Sequence, residues 1–202
     1  MPNAIPTLTI PTLTMRSLLS ISALPLVVLA LLTLGLRSSN AGAQQAQIKR
    51  GVLVVPLKTS NGQDAGTASF RESKDGHQLS ITLKLKNLPF GPHAVHIHQN
   101  PVCDAPDFKS AGGHLNPDHK QHGTMNPMGH HAGDLPQNIS ISEEHTGEAH
   151  FKVDYLTLAP GAPNSILGTS IMVHEKGDDM MTDPTGNAGN RIACGVIPAP
   201  AP

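Results

Sequence analysis

Leu79-Ser80-Ile81-Thr82-Leu83-Lys84-Leu85-Lys86 alternates apolar and polar side chains without a break. A period of two marks a strand with one face on a core and the other in water. Further along, Ala149, Phe151 and Val153 alternate with His150, Lys152 and Asp154 in the same way. Outward from these two segments, strands are expected over residues 51–57, 66–72, 94–98, 138–142, 170–174 and 191–197. Turn chemistry separates them at Asn61-Gly62, Asp75-Gly76, Gly91-Pro92 and Pro160-Gly161. About eight short strands with no amphipathic helix predict an all-β, antiparallel sandwich or barrel. Two stretches break the rhythm, residues 99–135 and 175–190, both polar and rich in glycine. Loops of that length inside a compact domain serve function or lack order. Both abut strands that carry histidine, so they are expected to build a site.

A chain of 202 residues is enough for one domain with a real core. Its formal charge of −1 offers no basic surface for phosphates, which argues against a nucleic-acid partner. Aromatics make up 2% and tryptophan is absent, so the core must be aliphatic. At the N-terminus, Arg16 precedes an apolar run from Leu18 to Leu36 that ends near Ala41-Gly42-Ala43. That reads as a secretory signal cleaved near Ala43, giving an extension over 1–43, a domain over 44–197 and a Pro/Ala tail over 198–202. The run approaches spanning length, so a retained anchor is the competing reading. The repeat Ile5-Pro-Thr-Leu-Thr and Ile10-Pro-Thr-Leu-Thr precedes Met15, a second candidate start. Cys103 and Cys194 are the two cysteines. An isolated pair in an exported chain favours a disulfide, worth up to ~4.5 kcal/mol for a loop of this size. Two thiolate metal ligands are the alternative, against which stand the ample histidine and the lack of a C-x-x-C pair.

Histidine is the compositional outlier, twelve in all and concentrated between His93 and His131. His96 and His98 lie two apart on one expected strand, so both rings leave the same face. His114 follows in Gly112-Gly113-His114-Leu115-Asn116-Pro117, then His122-Gly123, then His131-Ala-Gly-Asp134. The spacing of His131 and Asp134 lets one turn present an imidazole and a carboxylate to a single ion. Three nitrogens and one oxygen form a closed tetrahedral set suited to zinc. His174 ends an apolar strand, and an open set of imidazoles alone suits copper, which changes oxidation state where zinc cannot.

The motifs His96-Ile-His98, Gly113-His-Leu-Asn-Pro117, His131-Ala-Gly-Asp134, His174-Glu-Lys-Gly-Asp-Asp179 and 186–196 (Gly-Asn-Ala-Gly-Asn-Arg-Ile-Ala-Cys-Gly-Val) resemble those of copper/zinc superoxide dismutase, in the family's order. The short interval from His98 to Cys103 and Thr182-Asp183-Pro184 look like the bacterial, periplasmic branch. The resemblance implies an eight-stranded Greek-key β-barrel with two long functional loops. It implies one copper per subunit on His96, His98, His114 and His174, and one zinc on His114, His122, His131 and Asp134, with His114 bridging. Asp178 matches a carboxylate that ties a copper histidine to a zinc histidine. Arg191 matches the arginine that holds the anion beside copper, and Cys103–Cys194 matches the family disulfide. The implied reaction converts superoxide to dioxygen and hydrogen peroxide, with His114 as proton carrier. The implied location is the periplasm or the exterior, with no stable membrane association once the signal is removed; monomer and homodimer are both open.

Some positions depart from the family pattern or leave it undecided. Ala94-Val95 stands where the family commonly has Gly-Phe, and Pro184 where many eukaryotic relatives place a steering lysine, which shifts steering to Lys109 or Lys120. His130 adjoins His131, but the His-x-x-Asp spacing selects His131. His119, Met125 and Met128 are either a copper-loading patch or plain loop residues. His93 is expected to be structural, and His77, His145 and His150 solvated. A copper/zinc buffer or chaperone on the same barrel is the competing function. A single-zinc hydrolase is disfavoured because the motifs hold no carboxylate base.

Overall fold

The computed structural model describes residues 47–49 and 51–199; the leader reading over 1–43 lies outside them. The described residues form ten strands: β1 (Gln47–Lys49), β2 (Val52–Thr59), β3 (Asp64–Glu72), β4 (Leu79–Lys86), β5 (Gly91–His93), β6 (Val95–His98), β7 (Ile139–Ile141), β8 (Thr146–Val153), β9 (Thr169–His174) and β10 (Arg191–Ile197). The helical element among them is a single 3₁₀ turn, Lys109–Ala111. No helix among the described residues is long and apolar enough to cross a membrane.

β2, β3 and β4 form a meander, β8 pairs with β4, and β10 returns to pair with β2. β9 and β6 extend that edge, so the sheet runs β6-β9-β10-β2-β3-β4-β8 with β1 beside β2. A meander whose later strand returns to flank its first member is Greek-key connectivity. β5 and β7 pair separately. β7 turns straight into β8, with Ser142 N–H donating to Thr146 O at 2.8 Å. β5 runs through Ala94 into β6, so the β5–β7 ribbon stands between the two ends of the large sheet. The sheet thereby curls toward a barrel, as expected.

The decisive alternation coincides with β4, whose Leu79, Ile81, Leu83 and Leu85 are buried. They meet Val55, Leu57, Phe70, Phe151, Ile97, Ile171 and Val173 in one aliphatic core. Three-residue strands β1 and β5 were not expected. Gly91-Pro92, predicted as a turn, belongs to β5, where Pro92 pairs opposite Ser140. A two-stranded ribbon tolerates the missing N–H of proline, which a central strand would not. The tail over 198–202, predicted to be unpacked, begins with Pro198 accepting the Gly168 N–H at 3.1 Å.

The β6–β9 wall is covered on both faces, and this creates the site. Val95, Ile97, Ile171 and Val173 enter the core. On the opposite face Met172 packs with Phe108, Ala111 and Cys194. His96 and His98 alternate with the core residues of β6 and so stand on that second face, under the 99–135 loop.

Candidate metal centre

Loop 99–135 reaches the site by extending β6. Leu115 N–H donates to Ile97 O at 2.8 Å, Gly133 O accepts the Ile97 N–H at 2.9 Å, and Gly133 N–H donates to Leu115 O at 2.8 Å. The neighbouring bridges pair His98 with His114 and His96 with Asp134. Four expected site residues are therefore brought together by backbone pairing before any metal is considered. All seven candidate ligands, His96, His98, His114, His122, His131, Asp134 and His174, are buried.

Hydrogen bonding decides which nitrogen of each ring is bare. A neutral imidazole has one N–H and one lone pair. His98 Nδ1 donates to Gly112 O at 3.0 Å, and His174 Nδ1 donates to Gly189 O at 3.4 Å. Their Nε2 lone pairs are thus left facing each other at 3.3 Å. His96 Nε2 donates to Asp178 Oδ2 at 2.8 Å, so its Nδ1 is bare, buried and without a protein partner. His114 Nε2 is likewise buried and unpartnered. Lone pairs crowded together repel, and a cation between them removes the repulsion. His96, His98, His114 and His174 have ligand atoms within 4.8 Å of one another.

A second set lies on the other side of the His114 ring. Asp134 Oδ1 sits 2.8 Å from His114 Nδ1, 3.0 Å from His122 Nδ1 and 3.2 Å from His131 Nδ1. Oδ2 of the same carboxylate accepts the backbone N–H groups of Gly123 and His131, which fixes its orientation. His122 Nδ1 has no hydrogen-bond partner despite its proximity to Oδ1. His96 also comes within 4.8 Å of His114, His122 and Asp134. Its bond to Asp178 aims its bare nitrogen at the first set, whereas His131 Nδ1 lies 3.3 Å from His114 Nδ1. By contact, His131 belongs to the second set. His130 is turned away, its ring 4.5 Å from that of Tyr155.

Asp178 links the two sets, accepting from His96 Nε2 and from His122 Nε2 at 3.0 Å. Gly186, at φ +61°, leaves room for it, since a Cβ there would strike the Asp178 carboxylate and come within 2.7 Å of His122 Nε2. Burial holds His96, His98 and His174 below the usual imidazole range, and His114 at about 3. Burial also pulls His122 down, but Asp134 and Asp178 outweigh it and raise the group to about 9. Asp134 lies far below the carboxylate range: burial opposes this, and the adjoining rings of His114, His122 and His131 overcome it. Arg191 Nη1 and Nη2 donate to the carbonyls of Phe108 and Gly112 at 2.7 and 2.6 Å. Arg191 pairs opposite His174 in the β9–β10 register, and its charge helps depress both His98 and His174.

A family model described as copper/zinc superoxide dismutase matches residues 64–197. The chain belongs to the copper/zinc superoxide dismutase family. It is similar to superoxide dismutase [Cu-Zn] 1 of Aquifex aeolicus, at 43% identity, over 70% of this chain and 84% of that one. A solved superoxide dismutase-like protein from Bacillus subtilis superposes with a TM-score of 0.67 at 38% identity, over 71% of this chain and 97% of that one. The Brucella abortus copper/zinc enzyme gives 0.59 at 30% identity, over 72% and 99%. Copper/zinc superoxide dismutases are oxidoreductases that use copper and zinc, and the two donor sets of this member accord with that metal pair.

Reading the residues for their spacing missed the groups that brace the dismutase centre from outside. The Asn138 side chain clamps Asp178, accepting the Asp178 N–H at 2.8 Å and donating to Asp178 O at 3.0 Å. Tyr155 donates to Asp134 O at 2.9 Å. His93, expected to be structural, lies 2.8 Å from the carbonyls of both His174 and Pro89. Lys109 and Lys120 are paired with Asp107 and Asp118, at 2.8 and 3.6 Å. Met125 and Met128 are each 68% exposed. Cys103 and Cys194 form the expected disulfide.

Proposed function

We propose that the chain disproportionates superoxide outside the cytoplasm, with copper on His96, His98, His114 and His174, zinc on His114, His122, His131 and Asp134, and the His114 ring shared between them. The observation that carries this reading is two donor sets meeting at one imidazole: the unpartnered Nε2 of His114 lies with the nitrogens of His96, His98 and His174, and its Nδ1 lies 2.8 Å from Asp134, beside His122 and His131. An all-imidazole set suits a redox-active ion, and three imidazoles with one carboxylate suit an ion that stays divalent.

Copper held by His96, His98, His114 and His174 would supply the one-electron chemistry by which two superoxides and two protons become dioxygen and hydrogen peroxide. Arg191, held by the Phe108 and Gly112 carbonyls, keeps a positive charge beside His174 and attracts the anion, contributing about 1–3 kcal/mol. His114 would carry a proton at Nε2, which is buried and has no protein partner, and would hand it to the product. Asp178 keeps the rings of His96 and His122 from turning, so the two sets stay in register. The Cys103–Cys194 disulfide supports an oxidising compartment, as does the leader-like apolar run.

The test is superoxide consumption by the protein loaded with copper and zinc. His174→Ala is expected to remove one copper ligand and abolish turnover while zinc stays bound. Turnover that survives this substitution, or survives copper removal, refutes the assignment. Tight uptake of both metals with no superoxide consumption would instead make the chain a metal-binding member without catalysis.

A further inference from the structure

Four of the six imidazoles of the centre turn one nitrogen inward and the other out to a hydrogen-bonded brace. His96 and His122 brace on Asp178, His98 on Gly112 O and His174 on Gly189 O. His131 turns Nδ1 inward, and its outer Nε2 faces Asp183 Oδ1 at 3.8 Å, within ion-pair range. Among the described residues Asp183 is the one acidic group that close to His131 Nε2. The same oxygen accepts the backbone N–H of His122 at 2.6 Å. One carboxylate oxygen therefore grips one zinc-side histidine through its backbone and faces another through its ring.

Asp183 is delivered by a turn that is already tied. The Asp179 carboxylate accepts from Met181 N–H at 3.0 Å, Thr182 N–H at 2.8 Å, Thr182 Oγ1 at 2.7 Å and Asn187 Nδ2 at 2.8 Å. The opposite side of the junction is fastened by Asn126, whose Nδ2 donates to the carbonyls of His122 and Met181 at 3.0 and 3.1 Å. Loop 175–190 thus presses a fixed carboxylate against loop 99–135 just outside the His122/His131 pair.

We infer that Asp183 is a positioning residue for the zinc side: it braces His131 through the outer ring nitrogen and His122 through its N–H, and so couples zinc affinity to the docking of the 175–190 loop. This rests on the zinc reading above. An outer carboxylate fixes a ligating ring and raises its basicity, and losing one costs about 10–100-fold in metal affinity.

The experiment compares wild type, Asp183→Ala and Asp183→Asn as full chains retaining copper, with zinc affinity measured by chelator competition and Co(II) in the zinc position read by its visible absorption. Asp183→Ala is expected to weaken zinc about 10–100-fold and to shift the cobalt band, with copper affinity unchanged. Asp183→Asn keeps an oxygen acceptor without the charge and should recover part of both readouts. A wild-type spectrum and affinity in Asp183→Ala overturn the inference. So do equal losses in both variants with a matching loss of copper, which would make Asp183 a general brace of the loop. If wild type itself gives no tetrahedral cobalt spectrum, the zinc reading fails and this inference fails with it.

Discussion

Arg191 stands opposite His174 at the mouth of β10, and two carbonyls from the disulfide loop take its guanidinium hydrogens. Those bonds leave its charge in place and restrict where it points. Arg191→Ala should therefore lower kcat/KM for superoxide by about ten- to a hundredfold, from the loss of one charged hydrogen bond. The salt dependence of the rate should become shallower, while copper and zinc content stay unchanged. Stopped-flow rates against ionic strength, with metal analysis, check this; loss of copper would show that the residue is structural instead. The seven residues that cluster at the centre were legible in part by short spacings, His96 and His98 by strand alternation and His131 and Asp134 by one turn, and His114, His122 and His174 through the family resemblance. Their outer braces were not legible. Asn138 and Asp178 are 40 residues apart, and His122 and Asp183 are 61 apart, so no local pattern links them. Asp183 was visible as part of Thr182-Asp183-Pro184, but its partner was not.

Among the elements, the strands were the most legible part and the loop paths the least. Alternation locates β4 and β8 because one face of each lies on the core. No periodicity foretold that Leu115 and Gly133 would pair with Ile97, since that pairing joins residues 18 apart and 36 apart along an irregular loop. Of the elements, the disulfide loop bears most directly on function. Cys103–Cys194 spans 91 residues and anchors the segment that presents the Phe108 and Gly112 carbonyls to Arg191. Replacing both cysteines by serine should lower the unfolding free energy by about 2–5 kcal/mol. Turnover should fall in the same direction as in Arg191→Ala but less far, because the guanidinium keeps its charge and loses its aim. Urea unfolding and steady-state rates on the metal-loaded double variant separate the two effects. Unchanged turnover would mean that packing of Phe108 and Ala111 on Met172 holds the loop unaided.

For the molecule as a whole, the centre is a store of mismatched proton affinities that the metals resolve. Without them the folded chain keeps His96, His98, His114 and His174 neutral by burial, whereas each takes a proton near pH 6.5 once unfolded. Folded values below the unfolded one give a contribution that is present above pH 6.5 and lost as the pH falls below it. His122 runs the other way: raised to about 9 by Asp134 and Asp178, it stabilises below pH 6.5 and loses that contribution as the pH rises through about 9. The four depressed groups cost stability below pH 6.5 and the raised one costs it between 6.5 and about 9, so the metal-free protein should be most stable near pH 6.5. On the acid side it should lose about 1.4 kcal/mol per pH unit for each proton that the unfolded chain takes in excess. Bound metals occupy the same lone pairs, so the loaded protein should hold its stability to lower pH and then release metal as protons compete. Denaturant midpoints of metal-free and loaded protein between pH 4.5 and 9.5 test both limbs. A metal-free midpoint that stays level from pH 7 to 5 would mean that these imidazoles open to water before they charge, and that the metals create the buried centre instead of entering it.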